Sequence, residues 1–239
     1  MSPSGFLTIV SFGPDGWTRV LLSGAWVTIL IAISGYLVGG FIGIFGAWAK
    51  ISGGKTLRAA ADVYTTVLRG IPDLLIIYVF YFGGSAAVTA LGRLFGAQGF
   101  IGFPSFLAGA LAVGITSGAQ QTEVLRGAFK AVNPGEIQAA IACGMGKWLR
   151  FRRIIAPLTL RHAVPGLGNI WQVVLKESAL VSVTGVAELL RQSQVGAGST
   201  GLPFDFYVTA AGLYLAISTV SSVSLRQAER HLRRGVRSI

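Results

Sequence analysis

The chain has 239 residues, of which 52% are apolar, only 12% are charged and 33 are glycine. A soluble domain carries about a quarter of its residues as charged side chains, so this composition excludes an ordinary water-soluble fold and puts the membrane class first. The formal charge of +11 would suggest nucleic acid in a soluble protein, but here the distribution of the basic residues decides against that partner.

Between successive charged residues lie the runs Val20 to Ala49, Leu74 to Gly92, Leu94 to Thr122 and Phe206 to Leu225, each able to supply the roughly 20 residues that cross a hydrocarbon core. A fifth run, His162 to Ala187, is interrupted by Lys176 and Glu177 and reads as one helix carrying charge at depth. From Leu57 onward, Arg69 and Asp73 interrupt the pattern and Gly83-Gly84 is expected to end the helix. The reading is an all-α membrane protein, one transmembrane domain over residues 1–239, with helices near 18–48, 57–82, 103–127, 164–186 and 204–227.

Alternate connections differ in charge. Lys50, Lys55 and Arg58, then Arg126, Lys130, Lys147, Arg150, Arg152, Arg153 and Arg161, then Arg226, Arg230, Arg233, Arg234 and Arg237 fall on one side; Arg19, Arg93 and Arg191 fall on the other. The positive-inside rule makes the first set cytoplasmic, so five crossings put the N-terminus outside and the C-terminus inside. Met1 to Trp17 lack a basic n-region, and the apolar segment after them is too long for a cleaved signal.

Catalytic and metal-binding patterns are missing from the sequence. Cys143 is the only cysteine and reads as a small apolar residue; His162 and His231 are far apart and stand among basic residues. Ser52-Gly53-Gly54-Lys55-Thr56 imitates the end of a phosphate loop, but position 49 is alanine where that loop needs glycine, and the segment reads as a tight turn. No nucleotide, metal or enzymatic site is expected in this chain.

The connection 129–161 is too polar to cross and reads as two short helices. Asn133 is a candidate cap with Pro134 at the first helical position; Ile137, Ala140, Ile141 and Gly144 follow at helical spacing, and Gly144 and Gly146 end the helix. A second helix sets Trp148, Phe151, Ile154 and Ile155 among basic residues and could lie at the headgroup surface, with Pro157 expected to stop it.

Gln138-Ala139-Ala140, Gly144, Phe151 and Pro157 stand at the spacing E-A-A-x3-G-x6-F-x5-P. This resembles the EAA loop of the permease subunits of bacterial ABC importers, with Gln138 in place of the usual glutamate, so the reach of that side chain is kept and its charge is lost. The likeness runs from about Trp17 to Arg230 and narrows, through the blocks Tyr64 to Asp73, Glu123 to Ala128 and Pro165 to Lys176, to the polar amino-acid permeases. Among these the chain resembles the Q-type subunits of the histidine and lysine/arginine/ornithine importer and of the opine importers.

The resemblance implies a MetI-like five-helix core in the bacterial inner membrane. It also implies a second homologous permease subunit, two ATPase subunits that hold ATP and magnesium, and a periplasmic binding protein. Cargo would be polar amino acids, basic ones in particular, or opines. A rigid projection that docks in an ATPase groove is what such a machine needs. In that role Ala139, Ala140 and Gly144 would allow close approach and Ile137 and Ile141 would supply apolar contact.

Charged residues at depth are the candidates for the substrate path, because each costs a few kcal/mol unless paired or wet. Asp73 is the first choice for a cationic cargo, and the alternative is a structural pair with Arg69, four residues back on one helical face, with Pro72 kinking the helix beside them. Glu123 pairs with Arg126 or lies at a cavity floor with Gln120, Gln121 and Thr122. Lys176, Glu177 and Ser178 are a structural set or a gate. Gly35, Gly39 and Gly43 recur every four residues and read as a close-packing face; Gly196, Gly198, Gly201 and Pro203 read as a flexible turn. A secondary transporter would show more spans or an inverted repeat, and a membrane scaffold would need neither the carboxylates nor the docking helix.

Overall fold

The computed structural model describes Ile9, residues 11–13 and residues 16–233, with the side chains of 228 and 231–233 left aside. Most of Met1 to Trp17, the basic residues Arg234 and Arg237, and the side chains of His231 and Arg233 therefore lie outside the described residues. In chain order the helices are α1 (Thr18–Ser52), α2 (Lys55–Gly70), α3 (Asp73–Tyr78), α4 (Gly84–Leu94), α5 (Ser105–Lys130), α6 (Pro134–Ala142), α7 (Lys147–Arg150), α8 (Ala156–Glu177), α9 (Leu189–Thr200) and α10 (Pro203–Arg233). Wide π turns join α3 to α4 over Val79–Gly83 and α7 to α8 over Phe151–Ile155, and a 3-10 segment, Ser178–Thr184, continues α8.

α1 packs along α5 because the expected glycine face is there. A Cβ on Gly39 would meet Ser117 Oγ at 2.2 Å and one on Gly43 would meet Gln121 Cβ at 2.8 Å, while Gly35 faces Val113. Backbones this close let small polar groups bond across the seam: Gln121 Nε2 donates to Tyr36 O at 3.1 Å and Ser117 Oγ to Gly35 O at 3.4 Å. Around the seam Ile31, Ile76, Ile77, Val113, Ile170, Val174, Leu175 and Val181 form one core, which draws on α1, α3, α5, α8 and the 3-10 segment. Trp26, Phe41, Phe45 and Trp48 on the other side of α1 are each more than half exposed, an apolar surface that a membrane protein can present to acyl chains.

Several expected boundaries are corrected. The helix expected over 57–82 is two helices, because Pro72 forces Ile71 into an extended conformation (φ −101°, ψ 135°). α2 ends at Gly70, and the apolar span is Asp73–Leu94. Gly83 and Gly84 do not end it; both have helical angles and carry the chain through the π turn into α4. Arg69 and Asp73 therefore do not share a helical face. Pro157 does not stop the second cytoplasmic helix either. It stands in the first turn of α8, where a missing N–H is tolerated, and the π turn before it relieves the ladder.

The glycine-rich stretch expected to be a flexible turn is α9. Gly196 is buried beneath Phe206, whose Cε1 would lie 2.1 Å from an added Cβ, and only Gly201, at φ +70°, is a helix end. Glu188 caps α9 by accepting from Leu190 N (2.9 Å) and Arg191 N (2.7 Å), and its carboxylate also accepts from the hydroxyls of Thr28 (3.2 Å) and Tyr214 (2.9 Å). This fully buried group ties α1, α9 and α10 together; burial pushes its carboxyl up, against the pull of those donors.

Candidate functional site

A cavity of about 370 Å³ opens where α2 breaks into α3, walled by α5 and α8. Its lining includes Arg69, Asp73, Gln120, Glu123, Gly166 and Asn169. The break at Ile71-Pro72 builds it: the chain turns there, Arg69 stays on the end of α2, and Asp73 opens the first turn of α3, where a carboxylate is favoured by the helix dipole. Gly166 brings α8 against α5, since an added Cβ would meet Val124 Cγ1 at 2.8 Å.

The four sequence-predicted residues that meet in this cavity are electrically unequal. Among the described residues the ion pairs are Lys50–Asp62, Lys50–Glu123 and Arg126–Glu123. Glu123 Oε1 lies 2.5 Å from Lys50 Nζ, and Glu123 Oε2 accepts from Arg126 Nη2 at 2.6 Å and Nε at 2.9 Å. Its charge is thus covered twice, with the intrahelical Arg126 pair one of the two. Asp73 has no cation within ion-pairing distance among those residues, Arg69 included. Its carboxyl instead meets that of Glu177 from the end of α8, and Glu177 Oε2 is buried with no donor to accept from. Two carboxyls close together favour a positive charge beside them; Lys176 acts on Glu177, and Asp73 is left without an ion pair among the described residues.

The remaining predicted path residues stand elsewhere. Gln121 is buried in the α1–α5 seam and does not line the cavity. Ser178 is fully buried and donates to Leu175 O at 2.8 Å, and Lys176 is exposed. Sequence reasoning missed Lys50. Counted there as a loop cation, it has a side chain only 5% exposed that donates to Thr65 Oγ1 at 2.6 Å as well as to the two carboxylates. The available signal was its position as the charge that closes the run Val20 to Ala49.

The loop helix α6 forms as read. Asn133 Oδ1 accepts from Gly135 N at 2.9 Å, Pro134 occupies the first turn, and Gly144 at φ +75° ends it. Ala140 is the buried contact that seats α6 on its own chain; Gln138, Ala139, Ile141 and Gly144 are exposed and Ile137 is half-buried. Phe151 opens the π turn at 47% exposure and Pro157 follows it. This is a short rigid helix offering a small-residue, partly apolar face.

This all-helical, membrane-embedded chain is, by its relatives, the permease subunit of an ABC importer, a transport component and not an enzyme. The chain belongs to the family described as "binding-protein-dependent transport system inner membrane component", which matches residues 39–234. It is 54% identical over 233 residues to the octopine transport system permease protein OccQ of Rhizobium meliloti, covering 98% of each chain. To the nopaline permease NocQ of Agrobacterium fabrum it is 46% identical (97% of this chain, 99% of that one), and to the histidine/lysine/arginine/ornithine permease HisQ of Escherichia coli 38% (93% and 97%).

Among solved structures, one chain of an amino acid ABC transporter with histidines superposes with a TM-score of 0.77 at 32% identity, over 90% of this chain and 95% of that one. A MetNI methionine transporter chain shares the fold, at a TM-score of 0.69 and 16% identity over 90% and 97%. The expected MetI-like permease fold and transport function hold, and membership of this family brings an ATPase and a substrate-binding protein as partners.

Proposed function

We propose that this chain imports basic amino acids or opines across the bacterial inner membrane, in a complex with a second homologous permease, two ATPase subunits that hold ATP and magnesium, and a periplasmic binding protein. The observation that carries the cargo class is the Asp73 carboxyl, which lines the cavity and forms no ion pair among the described residues. A guanidinium or ammonium group supplies the missing charge and releases it when the cavity opens to the other side. The cargoes for which the relatives are named, octopine, nopaline, histidine, lysine, arginine and ornithine, agree in offering nitrogen-rich groups.

The chain crosses five times, through α1, α3–α4, α5, α8 and α10, with its N-terminus outside and the positive loops inside. α1, Asp73–Leu94 and Pro203–Gln227 are long and apolar enough to span on their own; α5 and α8 carry the polar groups of the path and cross under the cover of the others. The single domain projects α6 into an ATPase groove through Gln138, Ala139, Ile141 and Gly144, with Ile137 at the edge, Ala140 as its seat, and Phe151 and Pro157 bracing the turn behind it. Closure of the ATPases then moves α6 and the helices joined to it.

The test is Asp73→Asn in the reconstituted complex. Stimulation of ATP hydrolysis by binding protein loaded with L-arginine should fall at least tenfold with assembly intact; wild-type stimulation overturns the cargo reading.

A further inference from the structure

On the opposite side of α8 lies a second cavity, of about 270 Å³, between α8 and α10. It is set by two stripes of residues. Ser218, Ser222 and Arg226 recur every four residues on α10, and Asn169 and Gln172 are three apart on α8, so each set lies on one helical face. Gly168 thins the wall, and Asn169 lines both this cavity and the one that holds Asp73.

One buried donor of the second cavity lacks an acceptor. Ser218 Oγ donates to Gln172 Oε1 at 2.7 Å, which turns the amide so that its nitrogen faces away from the serine. That nitrogen, Nε2, is buried and has no acceptor. Arg226 lines the same space and forms no ion pair with a carboxylate among the described residues; Ser222 adds a hydroxyl and Glu229 borders the cavity one turn further on. Buried donors are matched by acceptors as a rule, and an exposed guanidinium lining the same cavity as an unmatched amide N–H₂ suits an oxyanion in charge.

We propose that the α8–α10 cavity is an oxyanion-binding site, taking a carboxylate or a phosphate group between the amide of Gln172 and the guanidinium of Arg226. Two sources carry that chemistry: the carboxylate of an amino acid leaving the path, and the phosphate of an anionic phospholipid at the end of α10. The amino-acid source rests on the importer reading; the lipid source does not.

The whole complex is reconstituted in nanodiscs and tested in two arms. In phosphatidylcholine discs without binding protein, labelled L-arginine is titrated; in discs containing phosphatidylglycerol, retained lipid is counted by native mass spectrometry. Gln172→Glu keeps the acceptor for Ser218 and replaces the donor by an anionic oxygen, Arg226→Gln removes the charge, and Ser222→Asp sets a carboxylate on the wall without touching either partner. Each should lower retention in one arm by about tenfold or more, the size of one charge-assisted hydrogen bond, and the arm that responds identifies the source.

Wild-type retention in both arms for all three variants overturns the site. If one substitution reduces recovery of the complex, the other two decide. Loss of L-arginine in Asp73→Asn with full retention in the α8–α10 variants leaves the importer reading standing and overturns the amino-acid source.

Discussion

Lys50→Met separates a buried electrostatic tie from an exposed one. Lys50 Nζ reaches Glu123 at 2.5 Å, Thr65 at 2.6 Å and Asp62 at 2.7 Å, with 5% of the Lys50 side chain exposed against 21% for Glu123 and 58% for Asp62. The Asp62 contact is a rim pair and contributes about 0.2–1 kcal/mol. Stranding a buried partner usually costs about 3–5 kcal/mol, but Glu123 keeps two hydrogen bonds to Arg126, so the expected loss is about 2–3 kcal/mol.

For a chain of this size that corresponds to roughly 4–12 °C in Tm at about 2–4 °C per kcal/mol, read by thermal unfolding of the purified complex at fixed lipid and nucleotide. Asp62→Asn should shift Tm by no more than about 2–4 °C. Lys50→Met combined with Arg126→Met strands Glu123 altogether and should exceed the sum of the singles by about 1–2 kcal/mol. A Lys50→Met shift no larger than that of Asp62→Asn, or strict additivity in the double variant, refutes the buried-tie account.

Glu188→Ala orphans two backbone donors and the Tyr214 hydroxyl, while Thr28 keeps Gly24 O as acceptor, and should cost about 2–4 kcal/mol, seen as a lower Tm and early proteolysis within α9. Gly39→Val puts a side chain 2.2 Å from Ser117 Oγ and close to the backbone of Gly114, so the α1–α5 seam must open and recovery of folded chain should fall severalfold; normal recovery would argue against close packing there. Gly144 has φ +75° and open space around it. Gly144→Val should therefore cost about 1–2 kcal/mol of backbone strain while reducing uptake much more than it reduces Tm; equal effects on both would argue against a docking face.

Composition and charge pattern are one-dimensional properties, and they determined what a linear pattern can determine. Long charge-free runs must leave water, and Asn133-Pro134 with Gly144 must bound a short helix, because caps and left-handed ends act within a few residues. The glycine face of α1 formed for a like reason, as a repeat of four that needs only helicity to align.

Partnerships were decided by the tertiary structure. Arg69 and Asp73 look like neighbours in sequence, but the extended pair Ile71-Pro72 parts them and delivers Asp73 to Glu177, more than 100 positions away. Lys50 reads as a loop cation until the turn at Gly53-Gly54 folds α2 back and brings Asp62 and Thr65 beside it, with Glu123 arriving from α5. Gly196 and Gly198 read as flexible until Phe206 covers Gly196 and Glu188 caps α9. For Lys50 and for α9 the local preference was weak and a buried charge or ring settled the outcome, because burying such a group without a partner costs more than any helix propensity supplies.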